Sequence, residues 1–102
     1  MKNIDFPLLL TPEDKVRVAF KQNRGKIEFF IVQYYALVNG RWRTIIRIDT
    51  CHGQSPHKHT YHPNRRPYKV HLSGHLNTVF TEADKFVKQN FKKIKENYLN
   101  AR

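Results

Sequence analysis

The chain is poor in cysteine, in acidic residues and in long apolar runs, and each shortage removes a class of protein. Cys51 is the only cysteine of 102 residues, which excludes an internal disulfide framework and fits a reducing compartment. No apolar stretch approaches the ~20 residues of a membrane-spanning helix. The run FPLLL at residues 6–10 has only Lys2 before it and is too short for a signal-peptide core. The expectation is a soluble, cytoplasmic protein without a membrane partner. Acidic side chains number 8 against 19 lysines and arginines, a net charge of +11. Such an excess repels itself in a compact state and points to a polyanionic partner, of which nucleic acid is the commonest.

What is present is enough for one folded domain over residues 1–102. Apolar residues make up 39% and aromatics 13%, which supports a modest core at this length. Residues 1–12 read as an N-terminal arm, either packed on the body through Phe6, Leu8 and Leu10 or loose. In KVRVAFKQ (15–22), Val16, Val18 and Phe20 alternate with Lys15, Arg17 and Lys21, the pattern of a half-buried strand. NRG (23–25) turns. KIEFFIVQYYALV (26–38) is β-branched and aromatic on both sides and predicts a long central strand. Asn39-Gly40 is a two-residue hairpin signal, and RWRTIIRID (41–49) returns as the third strand. YKVHL (68–72) predicts a fourth strand. In TEAD (81–84), Thr81 resembles a helix cap. Beyond it Ala83, Val87, Phe91, Ile94 and Tyr98 recur at helical spacing, and Lys85, Lys88, Lys92, Lys93 and Lys95 form a solvated face.

The fold expected is α+β: an antiparallel β-meander of about four strands with a C-terminal amphipathic helix packed on one face. One helix covers part of such a sheet, so the second face either meets another chain, as in a homodimer, or stays open. In one register Phe30 and Tyr34 fall among Arg17, Arg43, Arg47 and Lys69. Aromatic faces among cations suit single-stranded RNA; the alternative for the same aromatics is core or dimer interface.

The segment RIDTCHGQSPHKHTYHP (47–63) holds four of the six histidines: His52, His57, His59 and His62. Read as a turn-rich loop, it has three explanations. A zinc site would draw on His57, His59 and His62, with Cys51 and His52 near; against it stand the absence of any CxxC pair and the positive charge of Lys58, Arg65 and Arg66. An acid–base site needs an imidazole as base, another as acid, and cations for the charge building on phosphorus. Catalytic candidates are His52, His57 and His59, with Asp49 orienting the His52 ring through its second nitrogen as carboxylates do in triads. Candidates for nucleic-acid contact are Arg43, Arg47, Lys58, Tyr61, Arg65, Arg66 and Lys69. The third explanation is a polar loop without chemistry, and it is the one taken for His71 and His75, as turn-capping residues.

The run WRTIIRIDTCHGQSPHKH (42–59) resembles the TumE-like group of toxin–antitoxin modules, in which a strand ends in R-x-D-x-x-H-G followed by H-x-H. The resemblance covers residues 42–60 and places Arg47, Asp49, His52, Gly53, His57 and His59 on the group's pattern. It implies a compact α+β protein that acts on RNA or translation and is held in check by an antitoxin protein. The sequence therefore leads to a metal-independent endoribonuclease toxin without a cofactor. Its alternatives are a noncatalytic nucleic-acid-binding protein and a small accessory protein that dimerises through the sheet.

Overall fold

The computed structural model describes residues 1–50 and 55–101. They form six strands and one helix: β1 (Lys2–Thr11), β2 (Asp14–Asn23), β3 (Lys26–Val38), β4 (Arg41–Asp49), β5 (His57–His62), β6 (Arg65–His71) and α1 (Leu76–Asn100). Each strand pairs antiparallel with its neighbour in the chain, giving one sheet in the order β1-β2-β3-β4-β5-β6. The α+β meander with a C-terminal helix is as expected, with two strands more than the four read from the sequence. Residues 2–11 are an edge strand along all of β2, not an arm. Residues 57–62 are a strand held between β4 and β6, not a loop. The two outer strands carry Pro7 and Pro67 within them.

Two turns set the register of the centre. Arg24-Gly25 and Asn39-Gly40 both take φ of 52° and 77°, the paired positive values of a type I′ hairpin. One irregularity follows in β4. The register shifts between Tyr34 and Tyr35, which face Ile46 and Thr44, so Ile45 is an extra residue. The bulge explains how consecutive Ile45 and Ile46 are both buried.

Helix α1 begins five residues before Thr81. His75 is its cap, its Nδ1 accepting from the Asn77 amide at 3.3 Å. Asn77 then pins the helix start to the β2–β3 hairpin: its Oδ1 accepts from the Ile27 amide at 2.9 Å and its Nδ2 donates to the Gly25 carbonyl at 2.8 Å. Thr81 instead donates to the Asn77 carbonyl, one turn back. The expected stripe packs as read, with Val79, Ala83 and Val87 buried and Phe91, Ile94 and Tyr98 beside them. Beneath the helix lie Val16, Val18, Phe30, Val32, Tyr34, Ile46 and Ile48. Phe80 sits 5.2 Å from Phe20 and 5.3 Å from Phe30, ring to ring, and Phe91 meets Tyr34 edge-on at 5.9 Å. Phe30 and Tyr34 are thus fully buried under α1; they are core and do not join Arg17, Arg47 and Lys69, which alternation places on the other face.

One polar network crosses this core. The Tyr34 hydroxyl donates to Asp14 Oδ1 at 2.5 Å, and Thr11 Oγ1 donates to Asp14 Oδ2 at 2.5 Å. Lys95 Nζ, from the far end of the helix, lies 3.6 Å from both Asp14 and Glu13, so this lysine is not part of a solvated face. Burial alone would raise the Asp14 carboxyl, but the bonds from Thr11 and Tyr34 and the Lys95 charge outweigh it and hold it below its ordinary value. Burial and the bond to Asp14 push the Tyr34 phenol well above its own.

Replacing Tyr34 by Phe removes a donor to a buried carboxylate and is expected to cost ~1.5–3 kcal/mol, read as a lower urea midpoint at unchanged slope. Because Asp14 is depressed in the folded state, its contribution is complete above the ordinary carboxylate range near ~3.9 and fades as pH falls. Acid unfolding of Tyr34→Phe is therefore expected to show a weaker pH dependence than wild type.

Candidate functional site

The face of the sheet opposite α1 is ordered in rows by the strand pairing. One row runs Asp5, Ala19, Ile31, Asp49, His57, His71, and the next runs Pro7, Arg17, Gln33, Arg47, His59, Lys69. Side chains alternate along each strand, so these residues share one side. The three outer positions of both rows place three imidazoles beside Arg47, Lys69 and Asp49. Ile31 and Gln33, at the middle of the same face, are 7% and 9% exposed. Their burial is achieved within one chain, flanked in register by Ala19 and Asp49 and by Arg17 and Arg47.

The rings of His57 and His71 lie edge-on at 5.1 Å, while those of His57 and His59, at 6.5 Å, and of His59 and Tyr61, at 6.4 Å, are tilted to each other. Ser55 and His71 Nε2 share a hydrogen bond. Asp49 is 1% exposed, with its Oδ2 at 2.5 Å from Arg47 Nε and 3.9 Å from His59 Nδ1. The first is a close ion pair on one strand; the second is an ionic rather than a hydrogen-bonding separation. A buried carboxylate of this kind requires a cation beside it, and here it fixes the Arg47 guanidinium at the floor of the histidine cluster.

These surroundings hold His59 below the ordinary imidazole value. Burial is the main cause, Asp49 opposes it, and Lys69, Arg47 and His57 add to it. A neutral imidazole results at neutral pH, able to accept a proton from a hydroxyl, with cations next to it to neutralise an anionic group. Among the described residues no three of His, Cys, Asp and Glu are arranged to hold a metal ion.

The other expected site residues are dispersed. Lys58 points to the helix side, its ammonium 5.2 Å from the Phe86 ring. Arg43 pairs with Ala36 on that same side and lines a hollow with Tyr98 and Leu99 at the helix end. Neither meets the histidines. His62 likewise borders Tyr98. Arg65 and Arg66 are exposed at the start of the edge strand β6. His52, with Cys51 and Gly53, lies outside the described residues. His71, read from the sequence as a polar loop residue, stands inside the cluster instead; its alternation with Val70 and Leu72 put it opposite the core, and only the β5–β6 register showed what it faces.

The position of His59 carries a signed expectation. With its folded value below the ordinary ~6.5, the unfolded chain binds the proton more readily. Its contribution to stability is complete above that pH and is lost as pH falls toward the lowered value. Proton NMR of the imidazole ring is expected to show His59 titrating below the ordinary value, and Asp49→Asn, which removes the one charge favouring protonation, is expected to lower it further. An upward shift in that variant would contradict the electrostatic account.

No curated protein and no solved structure matches the chain. One family model does, over residues 1–102, and its description is a domain of unknown function. The chain belongs to that family, DUF7718.

Proposed function

We propose that the protein acts on RNA as a metal-independent endoribonuclease using histidine acid–base catalysis. The observation that carries this reading is the convergence of His57, His59 and His71 with Arg47 and Lys69 on the exposed face of the sheet. His59 is the base: its neutral ring takes the 2′-hydroxyl proton, and the freed oxygen attacks the adjacent phosphorus. His57 is the acid, delivering a proton to the departing 5′-oxygen. The products are a 2′,3′-cyclic phosphate and a 5′-hydroxyl, and the proton balance closes as His59 releases its proton to water and His57 takes one up from water. Arg47 and Lys69 neutralise charge on the phosphorane, and Asp49 keeps the Arg47 guanidinium in place.

The wider role expected from the resemblance, a cytoplasmic toxin restrained by an antitoxin protein, belongs to the same proposal. It is supported by the positions of Arg47, Asp49, His57 and His59 around one point on the face. A second reading, nucleic-acid binding without turnover, is favoured by the spread of cations. Arg43 and Lys58 lie on the helix side, so part of the charge attracts polyanions from elsewhere than the histidines. Homodimerisation through the sheet remains a further arrangement compatible with either.

Incubation of the purified protein with mixed RNA, with and without chelator, separates these readings. Cleavage that survives chelator, leaves cyclic phosphate ends and falls at least ~100-fold in His57→Ala and His59→Gln is expected, the range of a lost general acid or base. The acid limb of its pH profile is expected below ~6.5, following the lowered His59. Intact RNA in every lane, with binding that weakens steeply with salt, would leave binding alone. Induced expression in a bacterial host is expected to arrest growth, and His59→Gln to relieve the arrest.

A further inference from the structure

The helix-free face has a second built feature, on the opposite side of Gln33 and Arg47 from β6. Asp5, Pro7, Lys15, Arg17, Tyr35 and Trp42 line an open hollow of 320 Å³. Trp42 is 40% exposed. The Lys15 ammonium stands 4.3 Å from the Trp42 ring and 5.3 Å from the Tyr35 ring. Arg17 is held in place by Asp5, which accepts from its Nε at 3.1 Å and from its second guanidinium nitrogen at 2.9 Å.

We infer that this hollow is a base-stacking subsite for single-stranded RNA, where a nucleobase packs against Trp42 and Tyr35 and Lys15 and Arg17 meet the adjoining phosphates. The inference rests on the RNA-acting reading of the histidine face and names its substrate as an unpaired strand. Three observations carry it. The chain's single tryptophan is 40% exposed and forms one wall of the hollow together with Tyr35, so that two aromatic side chains border the same open space. The volume lies at the lower end of small-ligand sites, ~300–1,000 Å³, and suits a planar ring system. The lining pairs two aromatic rings with the Lys15 ammonium and with an Arg17 guanidinium oriented by Asp5, and aromatic faces beside cations are the combination that binds single strands through stacking and phosphate neutralisation.

The placement relative to the histidines is equally specific. The hollow lies between two and three strand steps from β5 and one two-residue repeat along the strands from the row of His59. At ~4.8 Å per strand and ~3.4 Å per residue, the separation is about 14 Å. A stacked single strand rises ~3.4 Å per nucleotide, so about four nucleotides join the hollow to the histidines. Gln33 and Arg47 lie on the route. Bases inside a duplex are already stacked and leave no free face for Trp42.

Because Trp42 is the only tryptophan, its emission reports the subsite directly. The probe is an eight-nucleotide 2′-O-methyl oligouridylate, which lacks the attacking hydroxyl and stays intact. Titration is expected to quench Trp42, whereas a dinucleotide and a duplex of equal length leave its emission unchanged. With the same oligonucleotide labelled for anisotropy, Trp42→Ala is expected to weaken binding about 5- to 150-fold without altering the slope of log K on log salt. Lys15→Ala is expected to reduce that slope by about 0.7, and Trp42→Phe to retain most of the affinity. An unquenched Trp42, equal quenching by duplex, or Trp42→Ala binding within twofold of wild type at unchanged melting temperature would overturn the inference. Quenching without cleavage of ordinary RNA would remove the nuclease reading and leave the subsite standing. Cleavage with an unaltered KM in Trp42→Ala would do the reverse.

Discussion

The two-residue repeat of a paired strand governs everything else in this protein. In a six-stranded meander each strand is locked to the next, so one register decides which side every residue occupies. Helix α1 then selects one side. It covers the Val16, Val18, Phe30, Val32, Tyr34, Ile46 and Ile48 surface, and whatever alternates with those residues is left facing outward. The imidazoles of β5 and β6, Arg47 and Asp49 are thereby gathered without any loop having to fold around them. A slip of one residue between β4 and β5 would exchange His57 and His59 for Lys58 and Thr60 and place the histidines beneath the helix.

The register is itself fixed at the two ends of the core. At one end Asn77 joins the helix start to the first hairpin; at the other Lys95 approaches the Asp14 carboxylate that Thr11 and Tyr34 also contact. The buried Asp14 carboxylate would be costly without partners, and the half-buried Asn77 amide less so. Satisfied as they are, they discriminate between this seating of the helix and one shifted by a turn, which apolar contacts alone tolerate more readily.

Much of this was legible in the sequence, and the misses have physical causes. The limits read for β3 and β4 agree with those observed because alternation or apolar density is bounded there by positive-φ turn residues. Strand β1 was hidden: FPLLL does not alternate and Pro7 argues against a ladder, yet at a sheet edge the missing donor does little harm. Strand β5 was hidden for another reason. HKHTYH contains no aliphatic residue, so nothing local marks it, and its conformation follows from hydrogen bonding on both sides. The helix start was displaced because a histidine, an uncommon cap, does the capping that Thr81 was expected to do. The candidate site was half visible. The histidine crowding could be counted, but which rings meet depends on pairing between strands distant in sequence. For the same reason Phe30 and Tyr34 were open to two interpretations until the helix was seen to cover them.

The outer borders of the sheet carry a consequence of their own. An open row of backbone donors and acceptors invites a foreign strand to attach, the first step toward ordered polymers. Here Pro7 sits midway along one border, and Arg65, Arg66, Pro67 and Lys69 crowd the other. Each proline removes a donor and each cation repels the like-charged border of another copy. A small, highly cationic sheet with both margins blunted in this way can be concentrated around a polyanion without stitching itself into fibrils.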